Sequence, residues 1–172
     1  IHNKENQDYT NGCSIVTYYK HGKNSILFTG DITPRVFERL IDEKHGSEKR
    51  YTKFENNGRN DDWRTETLNQ PSLCELLEAN NLTVFVTPHH GLESGYCNEI
   101  YKHLKDGKPD INVISERRHG NQGNDGTTHS RYTSTDGAKG LNVKINGKYK
   151  DRYSISTRNN YHILIKFNGL TH

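Results

Sequence analysis

Two short strings carry residue types suited to metal chemistry. FTGD, residues 28–31, places the carboxylate of Asp31 one glycine beyond an apolar run. TPHHG, residues 87–91, places two imidazoles, His89 and His90, just beyond another, LTVFV. Carboxylate oxygen and imidazole nitrogen together suit zinc, manganese or iron. The plainer readings are a helix-capping aspartate, since a helix is expected next, and a pair of surface histidines. The strings gain weight together, because an Asp and a His at the ends of two buried strands of one sheet can meet at one point. The carboxyl ends of such strands are where α/β sheets place their sites. Two or three donors still fall short of a complete catalytic site, which takes about three protein ligands for one ion and more for two.

The elements that must position these residues read as follows. SIVTYYK (14–20) and SILFTG (25–30) are β-branched and aromatic runs joined by HGKN, an expected antiparallel hairpin. Thr33-Pro34 opens a helix with Val36, Phe37, Leu40 and Ile41 on one face, ended by Gly46. Residues 47–70 are nearly all polar and read as a long loop or insertion containing the sole tryptophan, Trp63. Pro71-Ser72 starts a second helix with Leu73, Leu76 and Leu77 as its stripe. LTVFVTP is a continuous apolar strand of the type buried on both faces. A third helix is expected over about 98–104 and a strand at INVIS. A glycine-rich loop with Gly120, Gly123 and Gly126 follows, then strands at LNVKIN, YSIST and HILIKFN, the last two joined by a tight turn at RNNY. This order points to α/β layers.

Composition sets bounds. The chain has 172 residues, enough for one domain or a large part of one, but only 30% are hydrophobic, and the mean hydropathy is −1.03. An ordinary soluble domain is richer in apolar residues, so the core is thin or packs against something else. Net charge is +3, which permits contact with a phosphate backbone without arguing for it. Three cysteines without a C-x-x-C pair argue against a disulfide framework and for a reducing, cytoplasmic setting. No apolar run is long enough to span a membrane, and the first residues, IHNKENQDYT, have no signal-peptide pattern. An Ile start and the absence of Met suggest a piece of a longer chain.

NGCSIV, SILFTGD, TPHHGLES and INVIS, in this order, resemble the metallo-β-lactamase superfamily, and specifically the hydrolase domain attached to ComEC-type DNA-uptake proteins. The resemblance covers about 11–115. It implies half of a four-layer αββα sandwich: the carboxyl-terminal half, over residues 1–172 with an insertion at about 47–70. It implies two divalent ions, zinc first and manganese second, with Asp31 bridging them and His89 or His90 completing the second metal site. His89 is favoured as the one closer to the strand, but the sequence does not separate the two. Asn11 and Ser14 match a motif read as structural. The family's His-x-His-x-Asp-His string, which supplies most ligands, does not occur in these residues. The resemblance therefore implies a partner, the amino-terminal half of the same fold, on the same or a separate chain.

The activity implied is metal-dependent hydrolysis, with a phosphodiester or nucleic acid as the favoured substrate. Arg117 and Arg118 are the expected substrate-binding residues, and Arg131 and Arg158 are further candidates, because the guanidinium fork suits phosphate. An ester, lactone or thioester hydrolase of the same fold is the second reading. A non-catalytic binding or assembly module is the third. His119, His129 and His162 read as surface residues.

Overall fold

A computed structural model describes residues 11, 14–42, 49–56, 61–68, 71–116 and 127–167. The architecture is mixed α/β. A five-stranded sheet runs in the order β1 (Thr17–His21), β2 (Asn24–Phe28), β5 (Val84–Val86), β6 (Ile111–Ile114), β9 (Ser154–Ser156). β1 pairs antiparallel to β2, and β2, β5, β6 and β9 are parallel to one another. The carboxyl ends of four strands therefore share one edge, and Asp31, His89, His90 and Ser115 all follow strands that end there.

Alternation of side chains sorts the sheet into two faces. Leu27, Phe85 and Ile114 point into the main core, with Phe37 and Ile41 of α1 (Pro34–Asp42), Leu77 of α2 (Leu73–Ala79), and Ile100 and Tyr101 of α3 (Ile100–His103). Ile26, Val84, Ile111 and Val113 point to the other face, where Leu141, Val143, Ile163 and Phe167 pack on them. α2 starts as the sequence predicts: the Glu75 N–H donates to Ser72 Oγ at 3.2 Å and the Ser72 N–H donates to Glu75 Oε2 at 2.7 Å, a reciprocal cap.

Several elements differ from their expected form. The described parts of 47–70 form a hairpin, β3 (Lys49–Asn56) with β4 (Asp61–Leu68), rather than an open loop. Its Tyr, Thr, Phe and Trp residues are the β-favouring signal that the surrounding charges hid. A hairpin of β7 (Leu141–Ile145) and β8 (Lys148–Arg152) turns on Asn146 and Gly147, both at positive φ, the Asn-Gly signature of a tight hairpin. Its second strand, KYKDR, is too polar to announce itself. Of HILIKFN, residues 162–167 form no ladder, and Ile163 and Phe167 are partly buried by packing alone. RNNY falls within and just after a one-turn helix, α4 (Thr157–Asn160).

Burial pushes the Cys97 thiol above its usual pKa, and at 1% exposure it acts as a core residue with little nucleophilic character.

Candidate metal centre at the strand ends

The turns after β2 and β5 are tied together directly. Thr29 Oγ1 donates to the Val86 carbonyl at 2.8 Å, and the His89 N–H donates to the Gly30 carbonyl at 3.0 Å. Gly30 is required there. Its φ is +57, and a Cβ would stand 3.2 Å from Cβ of Ser14, which places the NGCS segment's Ser14 against the FTGD turn.

The TPHHG turn is held from three sides. The Thr87 N–H donates to the Val113 carbonyl at 2.9 Å, the Leu92 N–H to the His89 carbonyl at 3.0 Å, and the His129 N–H to the Gly91 carbonyl at 2.9 Å. These bonds support a costly backbone. His89 (φ 45), His90 (φ 58) and Gly91 (φ 72) are three consecutive residues in the left-handed region. Each non-glycine residue there costs about 1–2 kcal/mol, and strain of this kind gathers at functional sites. Gly95 makes room for the turn, since a Cβ on it would meet His89 Cβ at 2.6 Å.

The turn delivers His90 to Asp31. His90 Nε2 lies 3.6 Å from Asp31 Oδ1, and both side chains are about half exposed (49% and 47%). His90 Nδ1 lies 2.5 Å from the Ser115 carbonyl. A carbonyl only accepts, so Nδ1 carries a proton, and in the neutral ring Nε2 is left to offer its lone pair toward Asp31. Pinning the far nitrogen on a backbone carbonyl is how metal-ligating histidines are oriented. At 3.6 Å the pair is too far apart for a hydrogen bond. Two ligand atoms each ~2.1 Å from one tetrahedral ion stand about 3.4 Å apart, so the spacing suits a shared cation.

His89 is placed differently. Its ring centroid is 6.0 Å from that of His90, and its backbone rather than its ring is the part tied to the FTGD turn. The structure therefore brings His90, not the sequence-favoured His89, to Asp31. Replacing His90 with Gln is expected to weaken zinc binding at least tenfold, and His89→Gln to weaken it less, as read by competition with a chromophoric chelator. Equal losses would place both rings on the ion.

Arg117 and Arg118 lie outside the described residues. Arg131 is committed internally: its guanidinium lies 3.8 Å from the Tyr101 ring centre and Nη1 donates to Tyr96 Oη at 2.9 Å. Arg158 pairs with Glu116 at 2.8 Å. His129, expected as a surface residue, stacks on Tyr96 with ring centres 3.5 Å apart, and its Nδ1 accepts from the Arg131 N–H. It braces the loop that holds Gly91, a role that only the contact reveals.

Gly91 offers a clean stability test. Its φ is +72, and a Cβ would stand 3.0 Å from Ile114 Cγ2 and 3.1 Å from Thr87 Oγ1, whereas Gly107, also at +72, has nothing within 4 Å. Gly107→Ala is expected to cost about 1–2 kcal/mol from backbone strain alone. Gly91→Ala is expected to cost roughly 1–3 kcal/mol more through overpacking. Urea denaturation of both variants measures the difference, and equal losses would remove the steric term.

Comparison of the chain with protein families, with curated proteins and with solved structures finds no match in any of the three.

Proposed function

We propose that this chain contributes to a metal-dependent hydrolase of the metallo-β-lactamase type, acting on phosphodiesters, with nucleic acid as the leading substrate. The observation that carries the reading is Asp31 Oδ1 facing His90 Nε2 at 3.6 Å, on a turn of left-handed histidines at the carboxyl edge of a parallel sheet. Asp31 and His90 are the residues that would hold divalent metal, zinc first and manganese second, and Ser115 orients His90 through its carbonyl. Bound there, the metal supplies Lewis acidity and a water activated near neutral pH. The chain's own residues position the donors and keep the imidazole in the ligating tautomer.

Two donors are too few for a catalytic ion. The reading therefore includes a partner segment of the same fold that brings the remaining ligands and completes the αββα sandwich. The second sheet face is only partly covered by the chain's own Leu141, Val143, Ile163 and Phe167, which leave a groove of about 450 Å3 over Val84, Ile111 and Val113. No helix among the described residues is long and apolar enough to cross a membrane, so any membrane attachment through a helix would lie elsewhere. A cytoplasmic setting remains part of the proposal and rests on cysteine usage.

The test combines metal content by mass spectrometry on the native protein, determination of its intact mass and upstream sequence, and hydrolysis assays on a chromogenic phosphodiester, on DNA, and on ester, lactone and thioester panels. Bound zinc or manganese with phosphodiester cleavage is the expected result. Metal with cleavage of esters, lactones or thioesters alone would move the substrate to the second reading. A native protein with neither metal nor hydrolysis would leave a binding or assembly module.

A further inference from the structure

A second donor cluster lies apart from the strand ends, between α2 and α3. Cys74 and Glu78 stand one turn apart on α2, so both project from one helix face. His103 reaches them from the last position of α3. Cys74 Sγ is 3.2 Å from His103 Nδ1 and 3.2 Å from Glu78 Oε1, and His103 Nδ1 is 2.9 Å from Glu78 Oε1. The ligand atoms of all three residues lie within 4.8 Å of one another. We infer that Cys74, Glu78 and His103 form a zinc-class cation site that clamps α3 to α2.

The chemistry of the donors selects the ion. One sulfur, one imidazole nitrogen and one carboxylate oxygen form a mixed set that suits zinc and poorly suits magnesium or calcium. Zinc bonds of about 2.0–2.3 Å would put these atoms about 3.3–3.6 Å apart, a few tenths of an ångström beyond the present edges. Glu78, whose side chain is 54% exposed, can swing outward to give that space and provides the entry path. Binding exchanges the thiol proton of Cys74 for the cation and releases that proton to solvent. On the outer face of His103, Nε2 lies 3.7 Å from Glu99 Oε1, one turn earlier on the chain and beyond hydrogen-bond reach. Three protein ligands leave a fourth position for water. The benefit is structural, because α3 has only four residues, far too few for a helix to stand without tertiary support.

The probe is Co2+ added to the metal-stripped native protein, followed by zinc competition. A thiolate-to-cobalt charge-transfer band in the near ultraviolet, saturating at one ion per chain, is the expected result. Cys74→Ser is expected to abolish the band, and Glu78→Gln and His103→Gln to weaken Co2+ binding at least tenfold. Asp31→Asn is expected to leave the band intact, because the strand-end site contains no sulfur, so this proposal and the hydrolase reading succeed or fail separately. No thiolate band at saturating Co2+, or a band that survives Cys74→Ser, overturns the site. Should Cys74→Ser fail to fold, Glu78→Gln at its half-exposed position decides: unchanged affinity overturns the site, and weakened affinity supports it.

Discussion

Asp31→Asn is expected to lower phosphodiester hydrolysis at least a hundredfold and to remove metal from the strand-end site, while leaving the thermal unfolding midpoint little changed. Losing an outer partner of a metal ligand costs about 10–100-fold in affinity or activity, so losing a ligand itself costs at least the upper end of that range. Asn keeps the shape of Asp and removes the charge, which isolates the electrostatic role. The stability expectation follows from exposure: Asp31 is 47% exposed and lies 3.6 Å from His90, and even a charged pair at such exposure contributes only about 0–1 kcal/mol. The measurement pairs kcat on a chromogenic phosphodiester with metal stoichiometry for both proteins. Full activity in Asp31→Asn would remove this residue from the chemistry, and a large fall in unfolding temperature would make it a structural turn residue instead.

Phe85→Ala is expected to carry the largest stability cost. Phe85 is fully buried on the central strand β5, opposite Leu27 on one side and Asn112 on the other. Its ring meets Tyr132 edge-on with centroids 6.1 Å apart. Removing a buried phenyl ring costs about 3–5 kcal/mol, through lost transfer energy and the cavity left behind. Native domains hold only about 5–15 kcal/mol in total. In a chain of this size that corresponds to a fall of roughly 6–20 °C in Tm. Phe28→Ala is the comparison: Phe28 lies on adjoining β2 but is 44% exposed, and its loss should stay within about 1 kcal/mol. Thermal unfolding followed by circular dichroism measures both. A fall of only a degree or two for Phe85→Ala would mean that β5 is not the centre of the sheet, and the convergence of Asp31 with His90 would lose its scaffold.

The strongest local signals were readable from residue order. The apolar run into Val86 and the run into Phe28 announced buried strands, and Pro71-Ser72 announced a helix start. Asp31 and the His89-His90 pair stood out because each follows an apolar run through a turn. Other elements were hidden by their composition. β8 and the β3–β4 hairpin are rich in charged residues, so no apolar pattern reports them, and only register with a partner strand makes them strands. Residues 162–167 have the right side chains for a strand, yet pair with no strand among the described residues, and a strand is defined by such a neighbour.

By itself the sequence determined that Asp31 and the His89-His90 pair, side chains of metal-ligating type, follow strands, and that the chain is mixed α/β. Those are local properties, set by side-chain type and short-range periodicity. Tertiary structure alone decided that His90 rather than His89 faces Asp31, because the choice turns on backbone angles held by bonds from Val113, Ser115 and His129, residues far along the chain. It also decided that Cys74, Glu78 and His103 meet. Residues 74 and 103 are brought within 3.2 Å only by the packing of two helices, and no spacing along the chain encodes that approach.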